Sequence, residues 1–498
     1  MNKSIKITLL LFFCAQIVSI WAQKFHTGLI IDEDAYRRIP RQSLYGDGGK
    51  SENKALDGIY KADLKPFCPK VGHQGSIGSC VGWSSGYAAL TIAEAIRDNN
   101  AGKQDEINRN ANSALFVYNQ IKIGDCGQGA RIEDAMAFLK KKGDTPAKNF
   151  DLVIENCERQ ATEKDFTLAA SHRIQDYVTL FDAEGSDLVK INKIKLSLVQ
   201  KKPVVVAVEL NENFESVRKG DTFWFPEIGN TNPLGAHAMC VVGFDDGKDA
   251  FEIMNSWGDY WGEDGFIWIK YKDFIKRCYH AYQFTLPKAK QENNSITPVV
   301  TKNYTGEFAF RFPKTTFNGK VEFEYADATF NGRYYELTQK GWHIGERFQL
   351  VSKEVQAEMY LYVLSYDPSG ELKVHWPRDE NLDAKFSGTR ESAMITTPEV
   401  ELVIPSATKV LQYNKSGKDY IVVLYAPKPI DNLNEKLATL KKDKKGDLYA
   451  KIYKAFGNQI IQTKDLSYNA NKMSCSSNSN FKTEYILPII LEVSVKDK

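Results

Sequence analysis

The chain has 498 residues, 43% of them hydrophobic and 26% charged, with a net charge of +2 at neutral pH. That length exceeds one ordinary core and implies two or three domains; the near-neutral balance excludes an electrostatic case for nucleic acid or an anionic membrane surface as partner. The 17 prolines, with no repeat period and no low-complexity run, exclude a fibrous or disordered chain.

The N-terminus, "MNKSIKITLLLFFCAQIVSIWAQ", sets Lys3 and Lys6 before an apolar run from Ile7 to Ile20, then Ala22 and Gln23. This is the layout of a secretory signal peptide over residues 1–22. The run is about 14 residues, short of the roughly 20 that a spanning helix needs. The expectation is export to the periplasm, the cell surface or the medium, with no membrane span once the signal is removed. Phe13 is too large for a lipoprotein site, so Cys14 leaves with the signal. The remaining cysteines are Cys68, Cys80, Cys126, Cys157, Cys240, Cys278 and Cys475, an odd set that leaves at least one thiol without an intrachain partner.

Residues 23–66 are polar and turn-rich ("YGDGGKSENK") and read as an N-terminal arm. A helix is predicted over residues 80–97, where Trp83, Tyr87, Leu90 and Ile96 recur at helical spacing. A second fits "ARIEDAMAFLKKKG", closing on Gly143, and a third "LVKINKIKLSLVQKK", ended by Pro203. Strands follow at 204–210, 237–244, 250–257 and 266–271, with "DDGKD" at 245–249 as a hairpin turn. Helices before an antiparallel sheet make residues 67–287 an α+β domain with two segregated lobes. Residues 288–303 are polar and read as a linker. Residues 304–498 are β-rich, with only "NLNEKLATLKK" helical, and the alternation of Tyr360, Tyr362 and Tyr366 reads as an exposed sheet face.

"GHQGSIGSCVGWSSGYAAL" leaves Cys80 open to four readings: buried thiol, disulfide half, metal ligand or nucleophile. A nucleophile needs a depressed pKa, a base, an orienter for that base and donors for the oxyanion. Cys80 falls at the first turn of the predicted helix, where the macrodipole favours a thiolate. Gly78 and Ser79 let a carbonyl approach, and Gln74 offers a side-chain amide to an oxyanion. Among the 7 histidines, His237 in "PLGAHAMCVVGFDD" opens a strand behind a turn and is the candidate base. Asn255, in "IMNSWGDYWGEDGFIWIK", offers a carboxamide to the imidazole N–H, with Trp257 as a shield. Cys240 is an odd step from His237, so it falls on the other strand face and reads as core, not as a metal partner.

Taken in this order, "HQGSIGSC", "GAHAMCVVGF" and "NSWGDYWGEDGFIWIKY" resemble the signature segments of the papain-like cysteine peptidases, over roughly residues 60 to 285. The resemblance implies a helical lobe beside an antiparallel β-barrel lobe. It implies Cys80 as nucleophile, His237 as base, Asn255 as orienter, Gln74 and the Cys80 backbone N–H as oxyanion hole, and Trp257 over the His–Asn bond. Gly129, in "DCGQGARIEDAM", would line the substrate cleft, and Ala236 either shapes a specificity pocket or simply packs a turn. A Cys126–Cys157 disulfide would bracket the glycine-rich segment; a Cys68–Cys278 pairing is open. The substrate implied is a peptide or protein, and neither a metal nor an organic cofactor is implied.

Several positions depart from the family pattern. Ile77 replaces a usual cysteine, Val81 a usual tryptophan with Trp83 two places on, and Cys80 and His237 stand 157 positions apart. With a short arm, no large helical prosegment is expected. These features resemble bacterial members. The C-terminal region resembles an uncharacterised bacterial domain fused behind enzymatic domains, and the expectation for it is a surface or protein partner. Two alternatives to a peptidase stay open: a catalytically silent binding module with an occluded triad, and a thioester-based acyl transferase.

Overall fold

The computed structural model describes residues 27–42, 55–287 apart from 152, 154 and 183, and 305–497 apart from 316–320, 340, 354–357, 396–400, 443–445 and 478–484. The predicted signal peptide, the turn-rich stretch 45–54 and the predicted linker 288–303 lie outside the described residues.

Valine holds half of the positions in "VVVAVELN", and a β-branched run buried on both faces belongs at the centre of a sheet. Val204–Asn211 (β3) pairs antiparallel with Pro233–Asp245 (β5) on one side and Cys278–Thr285 (β8) on the other. The full order is Asp176–Thr179 (β2), β8, β3, β5, Ala250–Met254 (β6), Phe266–Lys270 (β7) and Phe223–Trp224 (β4). Lys61–Asp63 (β1) pairs with the far end of β5. The sequence reading assigned residues 61–63 to the arm; three residues are too few to carry a strand pattern of their own.

The hairpin at 245–249 forms as expected, with the Gly247 N–H donating to Asp245 Oδ1 at 2.8 Å. β6 ends at Met254, three residues before the predicted strand end. Asn255 therefore leaves the ladder and is free to serve the site. The helix from Cys80 to Arg97 is continuous, but its middle, Trp83–Leu90, has π spacing. There Gly82 and Gly86 bring the helix backbone against Ala114 and Ser113, and a Cβ at either glycine would collide with their carbonyl oxygens. The other two predicted helices are present at Ile132–Lys141 and Asp187–Val199. The fold of residues 61–287 is α+β, with the helices segregated from the sheet.

Residues 305–497 form a separate β-rich domain built on two sheets. Phe310 and Leu350 of one sheet share a core with Leu361, Val363, Val423 and Leu491 of the other. Tyr360, Tyr362 and Tyr366 point to the opposite face, but they are buried, not exposed as expected. Helices Leu433–Lys442 and Leu448–Phe456 cover them; the second of these, "LYAKIYKAF", was not predicted. Val178 of β2 joins the same apolar cluster, and the Tyr360 hydroxyl donates to Asp176 at 2.9 Å. The two domains are thus packed together. Among the described residues, no helix is long and apolar enough to cross a membrane.

Phe214 is fully buried, its ring 4.8, 5.2 and 4.7 Å from those of Trp224, Trp257 and Trp261. Phe214→Ala is expected to cost about 3–5 kcal/mol of stability, read from the denaturant midpoint of tryptophan fluorescence. A loss below about 1 kcal/mol would mean that this aromatic cluster does not hold the sheet's lower end.

Candidate active site

Two loops distant in sequence are zipped together at the site. The Gln74 N–H donates to the Ser256 carbonyl and the Gly258 N–H to the Gly72 carbonyl, both at 2.9 Å, around a His73–Trp257 bridge. Gln74 is fully buried. Its Oε1 accepts from Ser256 Oγ at 2.7 Å and its Nε2 donates to the Ile77 carbonyl at 3.0 Å. Those two bonds fix which end of the amide faces the turn leading into Cys80. Ser79 caps that turn, and Cys80 is the first helical residue.

Asn255 Oδ1 accepts two hydrogen bonds, from the Ser256 backbone N–H at 2.8 Å and from His237 Nε2 at 2.9 Å. The Ser256 amide can only donate, so it sets the carboxamide orientation, and His237 must carry its proton on Nε2. Nδ1 is left as the acceptor nitrogen, without a hydrogen-bond partner among the described residues. The indole of Trp257, itself fully buried, lies 5.1 Å from the imidazole, tilted by 40°. The Cys80 sulfur faces the backbone N–H of Ala238, the residue after His237, as well as those of Gly28, Val81 and Cys80 itself.

Gly28 belongs to the arm. Its first described residues lie between the turn that leads into Cys80 and the glycine-rich segment. Gly28 accepts from the Ala130 N–H at 2.9 Å, and the Ile30 N–H donates to the Ala130 carbonyl at 3.0 Å. Leu29 and Ala130 pair in parallel. The fit relies on glycine. A Cβ on Gly28 would strike the Gly78 carbonyl, and one on Gly129, whose φ is +80°, would strike the Gly28 carbonyl. On the sheet side, Thr27 lies against Gly235, next to half-buried Ala236. With the arm in place Cys80 and His237 are both 0% exposed.

That burial decides their charge. Desolvation pushes the Cys80 thiol up to about 11, although four backbone N–H groups favour its thiolate. It pushes the His237 imidazole down to about 4, against the Asn255 hydrogen bond. In this arm-filled state both groups are neutral at neutral pH. Cys80 holds the first-turn position expected of it, and desolvation opposes the thiolate that this position favours.

Cys126 and Cys157 are joined in a disulfide that ties the glycine-rich segment to the loop beyond Phe150. Glu158 lies beside both sulfurs, but the disulfide has consumed the thiolates that a metal would need. Cys68 and Cys278 are free and buried, so the pairing left open for them is not made; Cys240 is likewise a free core thiol. Sequence reasoning missed Ser256, although it stood inside a quoted segment, and Gly28, whose only signal was a glycine ahead of the apolar "LII".

Residues 62–287 match the family model described as papain family cysteine protease. An uncharacterised peptidase C1-like protein of Acanthamoeba polyphaga mimivirus is 28% identical over 237 residues, which are 44% of this chain and 71% of that protein. Mouse cathepsin S is 27% identical over 240 residues, 46% of this chain and 64% of its own length. Among solved structures, xylellain, a cysteine protease from Xylella fastidiosa, aligns with 52% of this chain and 96% of its own, at 22% identity and a TM-score of 0.41.

Only a thiolate attacks an alkylating agent. Iodoacetamide labelling of Cys80 is therefore expected to be slow at pH 7 and to climb as pH rises towards about 11. In Gly28→Ala the arm cannot seat, and the rate at pH 7 is expected to rise by about 10-fold or more. Equal rates in the two proteins would place the arm outside the cleft in solution.

Proposed function

We infer, from the match of residues 62–287 to the model of papain family cysteine proteases, an exported endopeptidase that works through Cys80, His237 and Asn255. The observation that carries the assignment is the 2.9 Å bond from His237 Nε2 to Asn255, which leaves Nδ1 as the proton acceptor on the strand packed against the Cys80 helix.

Once the arm has left and water can solvate the charges, Nδ1 takes the thiol proton. The thiolate attacks the peptide carbonyl carbon, a C–S bond forms, and the π electrons move to oxygen. Gln74 Nε2, whose other N–H donates to the Ile77 carbonyl, and the Cys80 backbone N–H would donate to that oxyanion. The C–N bond then breaks, and the leaving amine takes the proton from His237. Water, deprotonated by His237, attacks the thioester. The acid departs and the Cys80 thiol re-forms. Asn255 keeps the imidazole in one tautomer throughout, and Gly129 and Ala236 flank the path of the substrate. Export is supported by the Lys3–Ala22 layout and by the disulfide, which an oxidising compartment sustains.

The cover over Cys80 favours a second reading, a papain-like binding module that never turns over. Peptide cleavage by Gly28→Ala, beside Gly28→Ala carrying Cys80→Ala, separates the two. A substrate with an apolar residue before the scissile bond is expected to be cut by the first protein and left whole by the second. Adding Gln74→Ala is expected to lower kcat by about 10²–10³. No turnover together with an unlabelled Cys80 would establish the binding module. Transfer of the acyl group to an added amine, in preference to water, would make the enzyme an acyl transferase.

A further inference from the structure

The arm does not end at the cleft. After Gly28–Ile30 it forms a helix, Glu33–Arg38, capped by Asp32, whose carboxylate accepts from the Ala35 N–H at 2.9 Å. Tyr36 buries its ring against His280, stacked at 3.9 Å, and its hydroxyl donates to the Phe181 carbonyl at 2.6 Å. A few residues later, Arg41 stands between two chain segments. On one side its N–H donates to the Arg390 carbonyl at 2.7 Å and its carbonyl accepts from the Ser392 N–H at 2.8 Å. On the other side the Gln42 N–H donates to the Thr179 carbonyl at 2.7 Å, and the Thr179 N–H to the Pro40 carbonyl at 3.2 Å. Arg41 is thus a one-residue strand, bridged in parallel to Glu391 of the C-terminal domain and to Thr179 of β2.

Side chains reinforce the splice. The Arg390 guanidinium donates to the Arg38 carbonyl, and Arg41 pairs with Asp182. Glu391 is only 3% exposed and is held by Arg378 in a two-pronged pair. Beyond the undescribed stretch, Ala55 packs against the C-terminal core before the chain returns to β1. The junction is polar, and a cavity of about 540 Å³ opens there, lined by Arg37, Arg38, Glu184, Glu380 and Arg390 among others.

We propose that the C-terminal domain is the clamp of the arm: its Arg378–Ser392 segment docks Arg38–Gln42 and so holds Gly28 over Cys80. The helix between the two points is short and capped, so Tyr36 and Arg41 act as two anchors of one stiff piece, and loss of the Arg41 anchor leaves the cleft segment held at Tyr36 alone. The two contacts are linked, so that loss of the splice loosens the cleft segment and departure of the arm weakens domain docking. This rests on the reading of Cys80 as a reactive nucleophile, and the test separates the two.

The experiment uses the full mature chain, with Arg390→Ala and, separately, Ser392→Pro, which deletes the N–H given to Arg41. Two quantities are read: the iodoacetamide labelling rate of Cys80 at pH 7, and amide hydrogen exchange over residues 28–30 and at Ala130. Each variant is expected to label at least about 5-fold faster, the lower end of ordinary coupling, and to exchange faster at those amides. Wild-type labelling and exchange in both variants, with fast labelling in Gly28→Ala, would overturn the clamp. Faster exchange with no labelling in any variant would uphold the clamp and overturn the nucleophile. If Ser392→Pro does not fold, exchange and labelling in Arg390→Ala decide alone.

Discussion

The pairing of Gly72–Gln74 with Ser256–Gly258 is the constraint on which the site depends. It joins the loop before the Cys80 helix to the loop after β6, and so fastens the helical layer to the sheet. Ser256 sits at its centre: its hydroxyl orients the Gln74 amide and its N–H orients the Asn255 carboxamide. One small residue thereby sets the direction of the Gln74 amide and the tautomer of His237. These groups are all buried, so each bond is strengthened by the low dielectric, and loss of any one would strand its partner.

The same dryness works against charge. Raising the Cys80 thiol from its ordinary 9.0 to about 11 amounts to roughly 2–3 kcal/mol against the thiolate. A helix terminus supplies about 0.3–1 kcal/mol in the other direction. The resting pair is therefore thiol and neutral imidazole, and the ion pair has to wait for water. What changes the charge of these groups is solvation: the arm leaves the His237–Asn255 geometry in place and withholds the solvent.

Much of this was legible in the sequence, because it was written in side chains. The Cys80 helix, the strands β3, β5, β6 and β7, His237, Asn255 and Gln74 all carry residue types whose spacing or chemistry is specific. The arm was not legible, because Gly28, Gly78 and Gly129 meet backbone to backbone and a glycine carries no pattern. The strand at 61–63 was too short to show a period. In the C-terminal domain, alternation at Tyr360–Tyr366 gave the two faces but not what lies over each. The helix that covers them alternates lysine with aromatic residues and was lost among strands of similar composition. The π spacing within Trp83–Leu90 accompanies a close approach to Ser113 and Ala114, which no local window contains.

The contacts of Gly28–Ile30 with the domain are small in extent: two backbone hydrogen bonds, a glycine-sized fit and the partly buried Leu29. As a free peptide, so small a segment would bind weakly. Fixed at Arg41, it is confined near the cleft at an effective concentration in the millimolar range, as for other short tethers. A competing peptide has to match that local concentration, and diluting the protein does not lower it. Occupancy is thus set by chain connectivity more than by affinity, and a three-residue segment can hold the site.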